Sequence, residues 1–415
     1  MEFAPSWGQN GANSPMTRYG YGQLSDHNTL INKGMGGVGI GLRDQTQINV
    51  MNPASYTAVD SLTFLFEAGV TLQNANFSDG TTKLNAKNSS FDYLAMQFRL
   101  FKGMGMTLGF LPYSNVGYSF ASTEKIPAQS NWDSDVMATN TFSGNGGLHQ
   151  LFVGAGYRLL PNLSVGANVA YLFGNFSHHV AASFSDANIY GLSRKYYAQI
   201  SDVTFDLGAQ YTQQLSQKDN LTLGVTYSLG KDLNAISAYR TDMKLSNGVA
   251  MESDTTHFEN AFQLPHALGV GLTYNRGERL IVGADFLLQK YGDVRFYGKD
   301  GQLTDRMKYS VGAQWLPNPM GNNLFKQIKY RIGAYYSKPY VKVNGREAAK
   351  EYGLSIGMAC PISTWGWRTQ RSIISLSGEW VRVEPEFKGV LTENYLRVNI
   401  GLTFNERWFM KQKVR

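Results

Sequence analysis

The stretch NLSVGANVAYLF, Asn162 to Phe173, alternates along its whole length. Leu163, Val165, Ala167, Val169, Tyr171 and Phe173 fall on one face of an extended chain. Ser164, Gly166, Asn168 and Ala170 fall on the other, because successive side chains of a strand point to opposite sides. NLTLGVTYSLG, Asn220 to Gly230, repeats the arrangement, with Leu221, Leu223, Val225, Tyr227 and Leu229 set against Thr222, Gly224, Thr226, Ser228 and Gly230. Fourteen such strands are expected, over 62–76, 89–101, 104–120, 145–159, 162–181, 196–215, 220–240, 256–275, 279–296, 304–317, 328–341, 349–361, 372–386 and 391–407.

A soluble sandwich or propeller also alternates, but its solvent face would be rich in Lys and Glu. Here the second face is Gly, Ser, Thr, Asn and Gln, and several segments exceed the usual globular strand of about 3–10 residues. Composition points the same way: charged residues make up only 17%, with 13% aromatics and 44 glycines, against a soluble norm of about 25% charged. No apolar run approaches the roughly 18 residues of a membrane helix. Tight connections at Lys102-Gly103, Pro161, 216–220 and 276–278 alternate with long polar ones at 77–88, 121–144, 182–195 and 241–255. Short turns on one side and long loops on the other describe an outer-membrane barrel with both termini in the periplasm. Tyr157, Tyr211, Tyr274 and Trp315 each precede a short connection and would form its periplasmic aromatic girdle.

The expected fold is therefore all-β, a 14-stranded antiparallel transmembrane β-barrel over 61–409, in the bacterial outer membrane. Residues 1–60 lack the alternation, and a barrel of this size encloses more space than its own inward side chains fill. They are expected to form an N-terminal hatch in the lumen. No apolar signal segment opens the chain, which by itself fits either a cytoplasmic protein or a mature form. Residues 410–415 would be a basic periplasmic tail, solvated or meeting lipid headgroups or partners. By parity, Glu67, Arg99, Arg158, Asp206, Asp285, Lys308, Lys329, Arg331, Glu379 and Arg397 face the lumen, where a charge must be paired or hydrated. Pairing with one another and with the hatch is the expectation, ahead of an ion pathway.

GMGGVGIG, Gly34 to Gly41, has the look of a phosphate-cradling loop. A dinucleotide fingerprint needs a buried strand before the glycines, a helix after them and an acidic residue about 20 positions on. Neither flank, SDHNTLINK or LRDQTQINV, fits. The run KGMGGVGIGLRDQTQINVMNPASY, leading straight into the first strand, instead resembles the N-terminal hatch of the FadL-like long-chain fatty-acid transporter family. That family's signature is a glycine run followed by Asn-Pro-Ala, here Gly34, Gly36, Gly37 and Gly39, then Asn52, Pro53 and Ala54. QLPHALGVGLTYNRGERLIVGADF, from Gln263, resembles the family's Leu-Pro strand and following hairpin, and the leader SPMTRYGYGQLSD suggests a Bacteroidetes-type branch. The resemblance implies a third strand kinked inward to open a lateral gap. Pro112, Ser114, Asn115 and Gly117 stand at that place, and Pro112 cannot donate to a ladder. An ordinary bulge would look the same in sequence. Leu24, Leu30, Ile31, Met35, Val38 and Ile40 could line a ligand pocket in the hatch or simply pack it.

Other motifs lead away from chemistry. Ser355 in GLSIG fits a nucleophile-elbow formula, yet Leu354, Ile356 and Met358 alternate straight through it where a strand-to-helix turn is required. It is expected to face the lumen without a partner. His178 and His179 are adjacent on a strand and point apart, which disfavours joint metal ligation. Asp206 and Asp285 lie on non-adjacent strands. Cys360 is the single cysteine, too few for an intrachain disulfide or a zinc site. The 38 Lys and Arg are scattered rather than clustered, which argues against nucleic acid. A non-enzyme without cofactor or metal is expected. Two functions fit: passive uptake of a hydrophobic small molecule through a hatch-gated lumen with lateral release, or a docking subunit of an outer-membrane assembly or secretion complex. The second would engage outer-membrane or lipoprotein subunits through the long loops and the tail.

Overall fold

Alternation sends one face of each strand to lipid. On Leu163–Phe184, Val169 and Tyr171 are 48% and 46% exposed, while Asn168, Ala170 and Leu172 are 7%, 1% and 0% exposed. Leu207, Leu272, Ile332, Ile356 and Leu396 are likewise exposed on their own strands. The molecule is thus apolar outside and mixed inside, the reverse of a soluble core and the arrangement a lipid solvent demands.

The computed structural model describes residues 12–78, 80, 83–127, 135–186, 188–245, 250–277, 279–319, 323–343, 345–362, 372–387 and 391–407. Fourteen antiparallel strands close into a barrel. They are β1 Thr63–Ser78, β2 Lys83–Phe101, β3 Met104–Ile126, β4 Val136–Leu160, β5 Leu163–Phe184 and β6 Tyr190–Gln214. Next come β7, in two stretches Asp219–Ser228 and Ala235–Leu245, and β8, in two stretches Ala250–Phe258 and Ala267–Arg276. The circuit continues with β9 Leu280–Gln289, β10 Arg306–Trp315, β11 Lys329–Lys338, β12 Ala349–Ile362, β13 Ser372–Pro385 and β14 Thr392–Arg407. β14 pairs β1 from Thr63↔Arg407 to Ser78↔Thr392 and shuts the sheet, so every strand has two neighbours. Tyr157 and Tyr211 stand exposed near the ends of β4 and β6, beside short connections; Trp315 is exposed at the end of β10, but the connection after it, 316–328, is longer than expected and holds the one-turn helix Leu324–Gln327.

Two expectations need correction. The stretches 77–88, 121–144, 182–195 and 241–255, expected as loops, largely continue the ladders; β3 and β4 run to 23 and 25 residues. Beyond the membrane both faces of a strand are wet, so the chain there needs no apolar face and carries no alternation to see. Conversely, β7 and β8 are each broken, at 229–234 and 259–266. There the chain turns inward, with Gln263↔Asp232 and Leu264↔Lys231 paired. The inturned segments bring Phe262 against Tyr21, Phe176 and Phe296, and Tyr291 packs on Tyr340 at 4.5 Å, in an aromatic core across the outer end of the lumen.

Residues 12–60 run inside the ring of strands. They begin in its outer half, where Asn13 Nδ2 donates to Asn88 Oδ1 (2.7 Å) and Ser14 Oγ to Glu393 Oε1 (2.6 Å). They descend through the one-turn helix Leu30–Gly34 to the 3-10 helix Pro53–Ala58 at the side of the short turns. The tail from residue 408 onward, including 410–415, lies outside the described residues.

Candidate functional site

The wall is shaped to receive main chain. Gly105, Gly156, Gly166 and Gly208 are register partners across β3, β4, β5 and β6. A Cβ on any of them would strike the inner segment: Tyr56 O at 2.0 Å from Gly105, Pro53 O at 2.6 Å from Gly156, Pro53 C at 2.4 Å from Gly166, Asn52 Oδ1 at 2.1 Å from Gly208. On the opposite side Gly312 and Gly333 meet Met35, and Gly224 meets Ile40 O, at 2.1–2.2 Å. This belt of wall glycines lets the inner backbone lie directly on the sheet.

The motif residues are the other half of that fit. Gly39 N and Ile40 N both donate to Asp285 Oδ2, at 2.6 and 2.8 Å. Gly36 N donates to Ser355 Oγ at 2.9 Å, so Ser355 has a partner, contrary to expectation. Gly36 and Gly37 have φ of 67° and 87°, where a side chain would be strained. Asn52 caps the 3-10 helix by accepting from Ala54 N (3.0 Å), while its amide donates to Ile40 O (2.9 Å) and Ala209 O (3.2 Å). Pro53 opens the helix, where its missing N–H costs nothing. Leu30 packs with Ile48, Tyr56 and Tyr93, and Ile31, Met35 and Val38 pack with Leu42 and Ile281. Leu24 and Ile40 line cavities instead.

The luminal charges mostly meet the inner segment. Buried Glu67 accepts from Ile48 N (3.1 Å), Thr403 Oγ1 (3.0 Å) and Tyr93 OH. Arg331 reaches Gln47 and Gln314 Oε1 (2.8 Å), Arg158 reaches Thr57 O (3.3 Å), and Lys329 pairs with Asp44 (3.2 Å). Lys308 and Arg306, the latter not picked out from sequence, both hold Asp26 at 2.5 Å. Burial alone would push the Asp26 carboxyl up, but these two cations outweigh it and hold it well below the usual carboxylate range. Glu379 and Arg397 pair across the wall at 3.5 Å. Arg99 departs from the expectation of a paired luminal charge: its Nε donates to Phe101 O at the exposed rim. Asp206 makes no ion pair among the described residues and lines a cavity of about 120 Å³ with His27, Tyr113 and Gln150. His178 Nδ1 meets Tyr118 OH at 3.0 Å, whereas His179 Nε2 meets Ser193 Oγ at 2.8 Å, so the two rings are used separately.

Strand β3 has a different partner on each side. Toward β4 its ladder runs throughout, with one bulge between Pro112 and Ser114. Toward β2 it stops at Leu94↔Phe110, so the outer part of β2 and the outer part of β3 are not paired with each other. The break is therefore one-sided, not a gap through Pro112–Gly117 as a whole. The inner segment covers it: Gln23↔Asn115 and Leu24↔Ser114 pair antiparallel, Ser25 N donates to Tyr113 O (2.9 Å), and Thr17 Oγ1 bonds both Gly117 O and Gly117 N (3.2 Å). Gly22, at φ 89°, makes the turn; a Cβ there would lie 2.4 Å from Asn115 O. No sequence signal marks Gln23–Leu24, since two residues carry no period. Behind the seam lies a cavity of about 220 Å³ reaching Ser90, Phe91, Pro112 and Asn115 at its mouth.

A closed barrel with a lipid-facing apolar band, its lumen occupied by its own N-terminal segment, defines an outer-membrane barrel of FadL-like fold. The chain is similar to the CymD monoaromatic hydrocarbon channel (15% identity, TM-score 0.60, 94% of this chain and 99% of that one). It is also similar to the Ralstonia pickettii toluene transporter TbuX (14%, 0.61, 92% and 98%) and a Pseudomonas aeruginosa FadL homologue (11%, 0.56, 92% and 98%). The family profile that matches it bears a different name: over residues 2–415 the match is to BamG, and the chain belongs to the BamG family. No curated protein matches it.

Proposed function

We propose that the barrel admits a hydrophobic small molecule sideways, between β2 and β3, with the N-terminal segment as the hatch that gates the route. The observation that carries this reading is the end of the β2–β3 ladder at Leu94–Phe110 with a cavity directly behind it. A route along the axis would require withdrawing the segment that rests on the glycine belt and is bonded to Asp285 and Glu67. The side route requires displacing only the short cover at Gln23–Leu24. Names of the similar structures, channels and transporters of monoaromatic hydrocarbon and toluene, support the reading through likeness of fold. The test is the barrel-dependent uptake of N-phenylnaphthylamine by intact cells, whose outer leaflet resists passive entry of the dye. Asn115→Trp, which fills the mouth, is expected to abolish it; undiminished uptake by a folded variant overturns the route.

Membership of the BamG family, a name apart from those of the similar channels and transporters, supports a second reading. In it the barrel is a non-catalytic docking scaffold within an assembly or secretion complex. The outer stretch Ala250–Phe258 of β8, which pairs only with β7 among the described residues, would offer an unpaired edge to a partner. A mild-detergent pull-down of the tagged chain from native membranes, read by mass, decides between the readings. Stoichiometric outer-membrane or lipoprotein partners favour the scaffold, and a lone barrel carrying a defined hydrophobic molecule removes it.

A further inference from the structure

We infer that the cavity behind the seam receives the headgroup of an amphiphile with no net charge, bearing hydroxyl or amide groups, while its hydrocarbon tail lies in the seam and the outer leaflet. The inference rests on the lateral route proposed above and names the chemistry that would use it.

The mouth is level with the top of the apolar band. Phe91 is the register partner of exposed Val70, and Leu72, two residues further, is also exposed. Phe91 and Phe110 face each other across the end of the ladder at 5.9 Å between ring centroids, and Phe173 continues the aromatic patch. A molecule threaded here leaves part of itself among these rings and the lipid, and that part must be apolar.

Inside, the wall carries charges of both signs: Lys33, Arg306, Lys308 and Arg397 against Asp26, Asp92, Glu351, Glu379 and Glu393. Lys33 pairs with Asp92 (2.7 Å), Asp26 with Arg306 and Lys308, and Arg397 with Glu379. A charged ligand that displaces one partner of these pairs leaves the other buried without compensation. A bare hydrocarbon would strip water from these groups and return no hydrogen bond. Two cavity-lining residues instead carry buried polar atoms without a partner, the donor Gln73 Nε2 and the acceptor Asn28 Oδ1. The Gln73 amide is oriented by Arg397 Nε, which donates to its Oε1 at 2.7 Å. Hydroxyl groups, each at once donor and acceptor, suit both atoms without disturbing any charge.

The experiment uses three probes with the same tail, dodecyl glucoside, dodecanoate and dodecylamine, added to the full chain in amphipol and read by native mass spectrometry. One-to-one retention of the glucoside, about tenfold tighter than either charged probe, is expected, the size of one or two net hydrogen bonds. Asn28→Leu should remove the preference; if that variant does not fold, Gln73→Met serves, because Arg397 keeps Glu379. Equal retention of all three probes, or none of the glucoside, overturns the headgroup site. Unchanged glucoside retention in Asn115→Trp leaves the site standing and overturns the lateral route, so the two failures are distinguishable.

Discussion

Asp285 on β9 sets its Oδ2 between two successive backbone N–H groups, Gly39 at 2.6 Å and Ile40 at 2.8 Å. The glycine run therefore has the form of an anion cradle and is used as one, but the anion is the protein's own wall. Removing that carboxylate leaves both donors buried without their acceptor. Asp285→Ala is expected to destabilise the barrel by about 1–3 kcal/mol for each donor left without a partner, seen as a lower urea midpoint in detergent by tryptophan fluorescence. An unchanged midpoint would mean that the cradle is not structural.

The glycine belt gives a graded prediction. At Gly166 or Gly333 a methyl group meets backbone atoms of the inner segment at 2.4 and 2.1 Å, which cannot swing aside. Alanine at either position is expected to cost about 1–3 kcal/mol through overpacking. Gly378→Ala, whose Cβ would meet nothing nearer than 3.8 Å, is the neutral control. Equal melting temperatures for all three would show that the inner segment is not held against the wall.

Acid should act on Asp44, in the inner segment. Burial raises its carboxyl, but the Lys329 ammonium and the bonds from Thr46 outweigh this and bring it from 3.8 down to about 2. A depressed folded pKa makes the unfolded chain bind the proton first as pH falls. The pair's contribution is then full above about pH 4 and fades as pH drops toward 2, by on the order of 2 kcal/mol. Lys329→Gln is expected to flatten that window in unfolding curves taken from pH 6 to pH 2.

The cover over the seam can be tested by access. In a Cys360→Ser background, Asn115→Cys should react slowly with a bulky maleimide, because Gln23 lies paired over it. Adding Leu24→Pro breaks the two-residue strand, and labelling is expected to quicken roughly tenfold through local opening. The same rate with and without the proline would show that Gln23–Leu24 does not cover the edge of β3.

Each of the fourteen expected segments overlaps a strand of the barrel, because membrane strands must show lipid an apolar face at every second residue. The signal fades where the solvent changes. From Val136 to Gly144 on β4 and from Lys83 to Asn88 on β2 the chain is still strand, yet neither face has to be apolar. Of the site, Asn52, Pro53 and the glycines stood out in sequence, since a cap, a fixed φ and missing side chains are local properties. Pro112 stood out for the same reason. Arg306, Gln23, Gln73 and Asn28 did not, and Leu24 stood out only as an apolar residue, not as the cover of the seam.

What the sequence by itself determined is the architecture: a two-residue period repeated along the chain, small residues on the inward face, and an unpatterned N-terminal segment left to occupy the space between. What only the tertiary structure decided is who meets whom. Gly39 and Asp285 are 246 positions apart, Lys308 and Asp26 282, and Gln73 and Arg397 324. Alternation constrains which face a residue takes, but closing a sheet fixes its level and its neighbour across the lumen. Those two coordinates placed a carboxylate under the glycines and ended the β2–β3 ladder at Phe110.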